Sequence, residues 1–381
     1  MYDIIIVGGS LAGSLTALSL NKKNPFLKIC IIDSEPANTP IMDNRATALS
    51  PSSIKLLTEL EIWERELKPY SAPIRHIHIG MTSSNIDLTF TEARSPLGYN
   101  VQNTILKSAL KIQMSTNNST TVKNRSVVKD ILIQNSYGEV VLENNTTFKG
   151  RLIIGADGRN SKIRSLLSTT ETIPYKQTAL TGTVSHSAPH NNQAFEFFLP
   201  QGPLAFIPLP NLNTSTLVWS LKNNLLPSKK AEIEKILCNL ARPYLGEIIF
   251  TSTIERYPLT TFVAKQIAGH RWVLVGDAAN AIHPVAGQGL NLAIRDITHL
   301  AQHVYKQQCL GLDIGSQTHL IDYATSRQKD RYSLIGITHL AATQMTSPSK
   351  LISHFIRRGL KWGNNKKGIT NYLIHVAQFG I

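Results

Sequence analysis

Cysteine is nearly missing from this 381-residue chain, which carries Cys30, Cys238 and Cys309, odd in number and far apart. Their spacing fits neither a disulfide framework nor a metal or redox motif, so idle thiols in a reducing compartment are expected. Acidic residues are scarce beside basic ones, 25 against 39, and the net charge of +14 favours anionic partners. No basic–aromatic interleaving or reader motif accompanies that charge, so nucleic acid is not among the expected partners. Long apolar runs are absent too: none approaches the ~18 residues needed to span a bilayer. No basic residue precedes Lys22, and Asp3 stands where a positive n-region would begin a secretory signal. A cytoplasmic protein is expected. With 42% hydrophobic residues, the chain has material for the cores of two or three structural units.

Apolar patterning supplies the framework. Asp3–Val7 and Lys28–Ile32 are continuous apolar runs of the kind buried on both faces of a sheet. Between them lie a glycine turn and a helix-spaced segment from Leu11 to Leu20, which makes a βαβ unit and demands a parallel sheet. The pattern of apolar strand followed by Gly and Asp returns at Arg151–Gly158 and at Trp272–Asp277. Such strand ends are where open α/β sheets present ligand-binding groups. Ile74–Phe90, Ala179–Val184, Ala194–Phe198 and Thr216–Leu221 have β character and predict an inserted antiparallel sheet, whereas Ser115–Ser126 and Asn144–Thr147 read as polar surface loops.

Two segments carry chemistry. In Gly8-Gly9-Ser10-Leu11-Ala12-Gly13, glycines allow a tight turn, backbone approach to a pyrophosphate and close helix–strand packing. Asp33, at the end of the second strand, suits either a ribose hydroxyl or a cap on the following helix. In Gly276–Asn291, a buried strand delivers Asp277 to a sheet edge, Pro284 fixes a turn, and Gly287 and Gly289 admit a ligand close to the backbone. The helix that follows from Leu290 directs its positive end towards the same ligand, an arrangement suited to a cofactor that becomes anionic in turnover.

These segments, with Gly155–Arg164 between them, resemble the fingerprints of class A flavoprotein monooxygenases in order and spacing, and most closely the ubiquinone-biosynthesis hydroxylases. Arg45-Ala-Thr-Ala-Leu49-Ser50, Gly98-Tyr99-Asn-Val101-Gln102-Asn103 and Ala286-Gly-Gln288-Gly-Leu290-Asn291 with Arg295-Asp296 extend the likeness over most of residues 1–345. The resemblance implies FAD as cofactor and NAD(P)H as co-substrate. It assigns the pyrophosphate to the Gly8–Gly13 turn, the adenosine ribose to Asp33, and the phosphates and ribityl chain to Arg45, Gln102 and Asp277. It associates Asp157 with nucleotide binding and brings the backbone of Gly287, Gln288, Gly289, Leu290 and Asn291 to the flavin pyrimidine edge. Ser10 for Gly, Gln102 for Glu and Asn280 for His depart from the commoner pattern.

The implied architecture is α/β: a Rossmann-like FAD domain formed by 1–72, 98–172 and 262–345, a mainly antiparallel β-sheet substrate domain formed by 73–97 and 173–261, and a helical C-terminal region, 346–381. The implied reaction uses O2 to hydroxylate the ring of a polyprenyl-phenol or quinone precursor. A flavin-dependent prenyl reductase or epoxidase, or a non-catalytic FAD-binding subunit of a biosynthetic assembly, would fit the same scaffold. His283 and Pro284 are the candidates beside the reacting ring, with a flavin-shaping role preferred for His283 over proton transfer. Phe195, Phe197, Phe206 and Trp219 read as core ahead of substrate pocket, and His76 and His78 as satisfied or solvated strand residues. On a helix, Lys350–Trp362 would separate an apolar from a basic side, so its partner is either an anionic membrane surface or the enzyme body itself. A peripheral position at the inner face of the membrane, alone or in a biosynthetic complex, is the expectation that follows.

Overall fold

The computed structural model describes residues 1–344 except 38, 42, 82–85, 92–94, and 228. Lys350–Trp362 and the rest of 346–381 lie outside the described residues. Five parallel strands run through an eight-stranded sheet among the described residues, in the order Trp272–Leu274, Thr147–Gly155, Tyr2–Val7, Ile29–Ile32 and, at one edge, Thr120–Lys123. Ile4, Ile5 and Ile6 are fully buried, as a strand covered on both faces requires. The helix Leu11–Lys23 is buried almost all round and packs against the long helix Gly289–Cys309.

Thr120–Lys123 was expected to be loop and is instead an edge strand. Backbone pairing with Ile29–Ile32 overrides its polar composition, and an outermost position lets its side chains stay in solvent.

A second sheet of nine strands among the described residues is mainly antiparallel and includes His76–Met81, Ile86–Thr91, Thr170–His186, Gln193–Leu199, Gly202–Pro208, Thr214–Lys222 and Glu255–Ala264. One face is sealed by the helix Lys230–Leu245, whose Ile233, Leu237, Ala241 and Leu245 recur at intervals of four and pack on the sheet core. Phe195, Phe197, Phe206 and Trp219 belong to that core. His78 is buried among Phe195, Phe197 and Tyr244, and His76 bonds Thr91. The opposite face is open to a cleft. A three-stranded sheet, Ala46–Leu49, Gly98–Gln102 and Ser71–Ile74, borders it.

Two helices close the described chain. Arg295 and Asp296 on Gly289–Cys309 meet Arg327 and Asp330 on Gln317–Thr343: Arg295 clasps Asp330 at 2.8 and 3.1 Å, Arg327 reaches Asp296 at 2.7 Å, and Arg327 also binds Asp330. All four are buried, so the Arg295-Asp296 pair recognised in the sequence is an internal staple between helices.

Candidate active site

The cleft between the parallel sheet and the open face of the large sheet has a volume of about 440 Å³. It begins at the first turn. Gly8 has φ +97°, and a Cβ there would lie 2.5 Å from the Ala156 carbonyl oxygen. A Cβ on Gly13 would stand 1.8 Å from the Gly8 carbonyl oxygen, so the helix can start here only without a side chain. Ser10 makes no side-chain cap, and the first turn of Leu11–Lys23 holds no acidic residue. Its first helical N–H groups therefore face a cleft lined by Ser10, Leu11 and Ala12. Gly9 donates its N–H to Asp33 Oδ2 at 3.0 Å, while Asp33 Oδ1 takes the Glu35 N–H at 3.1 Å. Asp33 thus stands beside the turn and ties it to the second strand.

Arg45 lines the cleft with its fork on Asp43, both bonds being 2.7 Å, and stacks 5.3 Å from the centre of the Tyr257 ring. Burial alone would raise the pKa of Asp43, but hydrogen bonds from Arg45 and from Lys107, the latter at 2.8 Å, drive it well below the usual carboxylate range. Asp43, Lys107 and the cleft-lining Arg159 were missed in the sequence, although Arg159 sits inside a recognised motif. Gln102 is half-buried on its strand, paired with Ala46, and its neighbour Asn103 lines the cleft instead.

Asp157 accepts from Ser161 Oγ and from the Ile163 N–H at 3.1 Å, so its carboxylate organises the start of the helix Lys162–Leu167. Arg164, from the same motif, is buried and donates to the carbonyls of Arg159, Asp277 and Ala278, knitting the two Gly/Asp segments together. Asp277 is exposed to the cleft, whose walls keep it from bulk water. That shielding raises its pKa against the pull of Arg159, Arg45 and Arg164.

Gly287, Gly289 and Leu290 line the cleft at the uncapped start of Gly289–Cys309, while Gln288 stands half-buried beside them. Asn291 points inward. Its Oδ1 accepts the Ser50 N–H at 2.9 Å and the Ser53 hydroxyl at 2.7 Å, and its Nδ2 donates to the carbonyls of Ala48 at 2.8 Å and Gly287 at 3.3 Å. Its side chain is therefore a latch between this loop and the strand Ala46–Leu49.

His283 and Pro284 also line the cleft. His283 is 1% exposed, with Nδ1 accepting the Val285 N–H at 3.3 Å and Nε2 facing Gln177 Oε1 at 3.1 Å. That pairing sets the neutral tautomer with the proton on Nε2. Burial, then the nearby His339 and Arg159, lower its pKa to about 4, and the Tyr175 ring supports it edge-on at 4.8 Å. Both ring nitrogens are engaged, which suits a fixed wall.

Two helix N-termini, the cations Arg45, Lys107 and Arg159 and the carboxyl groups of Asp277 and Glu196 thus surround one cleft, with no side chain filling the Gly8–Gly13 cradle. These residues fit an extended anionic dinucleotide. Fold and site define a flavoprotein oxidoreductase of the two-sheet type. Residues 1–308 match the family described as FAD binding domain. Ubiquinone hydroxylase UbiL of Rhodospirillum rubrum is 33% identical over 346 residues, 88% of this chain and 80% of that protein. The human mitochondrial ubiquinone biosynthesis monooxygenase COQ6 is 27% identical, over 92% of this chain and 87% of its own. The crystal structure of p-nitrophenol 4-monooxygenase PnpA from Pseudomonas putida shares the fold, with a TM-score of 0.78 at 16% identity over 98% of this chain and 96% of that one. The chain belongs to the FAD-dependent hydroxylase family of ubiquinone biosynthesis. Among the described residues no helix is long and apolar enough to cross a membrane.

Proposed function

We propose that this chain hydroxylates the aromatic ring of a polyprenyl-phenol or quinone precursor, consuming NAD(P)H and O2, as a step of ubiquinone biosynthesis. The observation that carries the reading is one cleft with two characters: polar and cationic where Ser10, Arg45, Lys107, Arg159 and Asp277 line it, and largely apolar where Ala179, Ala205, Ile207, Val218, Leu259 and Ile282 do.

Bound FAD, reduced by NAD(P)H, supplies the activated oxygen that enters the ring. The chain binds and orients. In this reading the N–H groups of Leu11, Ala12 and Gly13, with Ser10, hold the pyrophosphate, and Arg45, Lys107 and Arg159 offset its charge. Asp33 and Asp277 accept from cofactor hydroxyls. The Gly287–Leu290 backbone and the helix start behind it favour negative charge on the ring system. His283 and Pro284 shape the floor, and the apolar wall keeps water from the reacting atoms. The division of the chain into 1–72, 98–172 and 262–345 for cofactor and 73–97 and 173–261 for substrate is part of this proposal. So is docking of the basic segment Lys350–Trp362 on an anionic membrane at its inner face, which would bring the enzyme to a polyprenylated substrate.

Purified holoprotein, given NAD(P)H, O2 and a short-chain prenylphenol, is expected to yield a ring-hydroxylated product heavier by one oxygen, located by NMR. Gain of hydrogen or an alkene epoxide would favour the rival flavoenzymes. Protein that holds FAD yet oxidises no NAD(P)H in response to prenylphenols, and rescues no strain lacking a ring-hydroxylation step, would refute the proposal.

A further inference from the structure

Holding FAD leaves one acid of the cleft unexplained. Glu196 lies on the strand Gln193–Leu199, and among the described sheet residues that line the cleft it is the sole carboxyl. Alternation along the strand sets its direction: Phe195 and Phe197 enter the core with Tyr244 on one side, so Glu196 faces the other. Strand register builds a row on that face, in which Thr181 pairs with Val218, Val218 with Ala205, and Ala205 with Glu196. At the usual strand spacing this row is about 14 Å long. Ile79 is the neighbour on the far side.

Neither Ala205 nor Ile79 can pair with a carboxyl, and no protein hydrogen bond or ion pair engages Glu196 among the described residues. At the other end of the row the buried Thr181 hydroxyl also lacks a partner. The middle of the row, Val218 and Ala205, is apolar and small. Burial alone pushes the Glu196 carboxyl up to about 8, so near neutral pH it is chiefly the uncharged acid, able to donate and to accept. The cations of the cleft, Arg45, Lys107 and Arg159, come from other elements, not from this sheet wall. Glu196 is half-buried, with its carboxyl open to the cleft and no partner among the described residues to hold it, so a ligand group entering the cleft can pair with it.

We infer that Glu196 is the residue that receives the ring hydroxyl of the substrate, holding a neutral phenol against the Ala205–Val218 row and disfavouring a ring that carries its own carboxylate. This assignment rests on the hydroxylase reading above and adds the group that recognises the phenol. A phenol O–H satisfies the acid. A methyl ether removes the donor, and a ring carboxylate meets a second acid that no neighbouring cation among the described residues offsets.

Three probes test it on the FAD-loaded protein: a short-chain 2-prenylphenol, its O-methyl ether, and the corresponding prenylated hydroxybenzoate. Binding is read from the change in flavin absorbance without NAD(P)H, and turnover is measured separately. The wild type is expected to bind the phenol at least roughly tenfold more tightly than the ether or the benzoate, as a site built around a hydroxyl does. Glu196→Gln keeps a neutral donor and acceptor and should retain most of that preference; Glu196→Leu should bring the phenol-to-ether ratio near unity. Flavin content verifies that each variant folds, with Glu196→Ala replacing Leu where the larger apolar group disturbs the sheet. An unchanged ratio in Glu196→Leu and Glu196→Ala overturns the assignment, as does a wild type that responds to none of the probes. Selective phenol binding without oxygen insertion would leave the Glu196 assignment standing and defeat the hydroxylase reading instead.

Discussion

Replacing Asn291 by Ala removes a latch whose cost can be worked from its four bonds. The side chain is 0% exposed, so water cannot take its place. On its loss the Ser53 hydroxyl can turn to Ser50 Oγ, 3.2 Å away, but the Ser50 N–H and the Ala48 carbonyl lose their partner. Two buried groups left unpaired at about 1–3 kcal/mol each give a destabilisation of roughly 2–6 kcal/mol. Gly287 is released as well, so FAD affinity should fall by about tenfold even where the variant is folded, an effect of about 1.4 kcal/mol. Asn291→Asp preserves the acceptor but turns a carboxylate towards two carbonyls, and should do no better than Ala. Ser53→Ala leaves the Ser50 bond intact and should cost less than about 1.5 kcal/mol. Urea unfolding of the apoprotein, followed by circular dichroism, gives the stability, and flavin fluorescence quenching gives the affinity. An Asn291→Ala protein within about 1 kcal/mol of wild type and with unchanged FAD affinity would refute the latch.

Gly13→Ala puts a methyl 1.8 Å from the Gly8 carbonyl oxygen, and the purified variant is expected to be colourless and to take up no added FAD; a normal flavin spectrum would contradict the turn geometry. His283 titrates near 4 when folded against an ordinary 6.5, so below about 6.5 the unfolded chain binds the extra proton and stability falls as pH drops towards 4. Relative to His283→Gln, the wild type should lose about 3 kcal/mol over that window in urea unfolding, and parallel pH profiles would show that the histidine is not held neutral. Asp296→Asn leaves the buried guanidiniums of Arg295 and Arg327 to share Asp330 and should cost roughly 1–3 kcal/mol, whereas Asp322→Asn on the exposed side of the same helix pair should stay within about 0.5 kcal/mol. Equal thermal shifts for the two would remove the staple from the account.

The parallel framework was legible because Ile4–Val7, Ile29–Ile32 and Leu152–Ile154 are apolar without interruption, as a sheet covered on both faces requires. The first turn was legible because glycine at positions 8 and 13 answers a steric demand that other residues cannot meet. What escaped were features set by partners distant in the chain. Thr120–Lys123 is a strand because of Ile29–Ile32, not because of its own composition. Arg164 carries a buried guanidinium that joins its own motif to the carbonyls of Asp277 and Ala278, more than a hundred residues on. The two faces of Gln193–Leu199 alternate as expected, yet the pattern alone could not tell that its polar residue meets a cleft and not bulk solvent.

The strand Thr170–His186 carries Ala179 of the apolar wall and the Thr181 hydroxyl beside it, and its Gln177 holds His283. From Gln177 to Thr181, past the bulge that follows Pro174, one stretch of strand therefore holds both the cleft wall and the support of His283. Neither can drift without the other. Which carbon is attacked is then a matter of side-chain size and polarity along that stretch, so a relative acquiring a different regiochemistry would do so by exchanging a few residues there, not by re-hinging its parts.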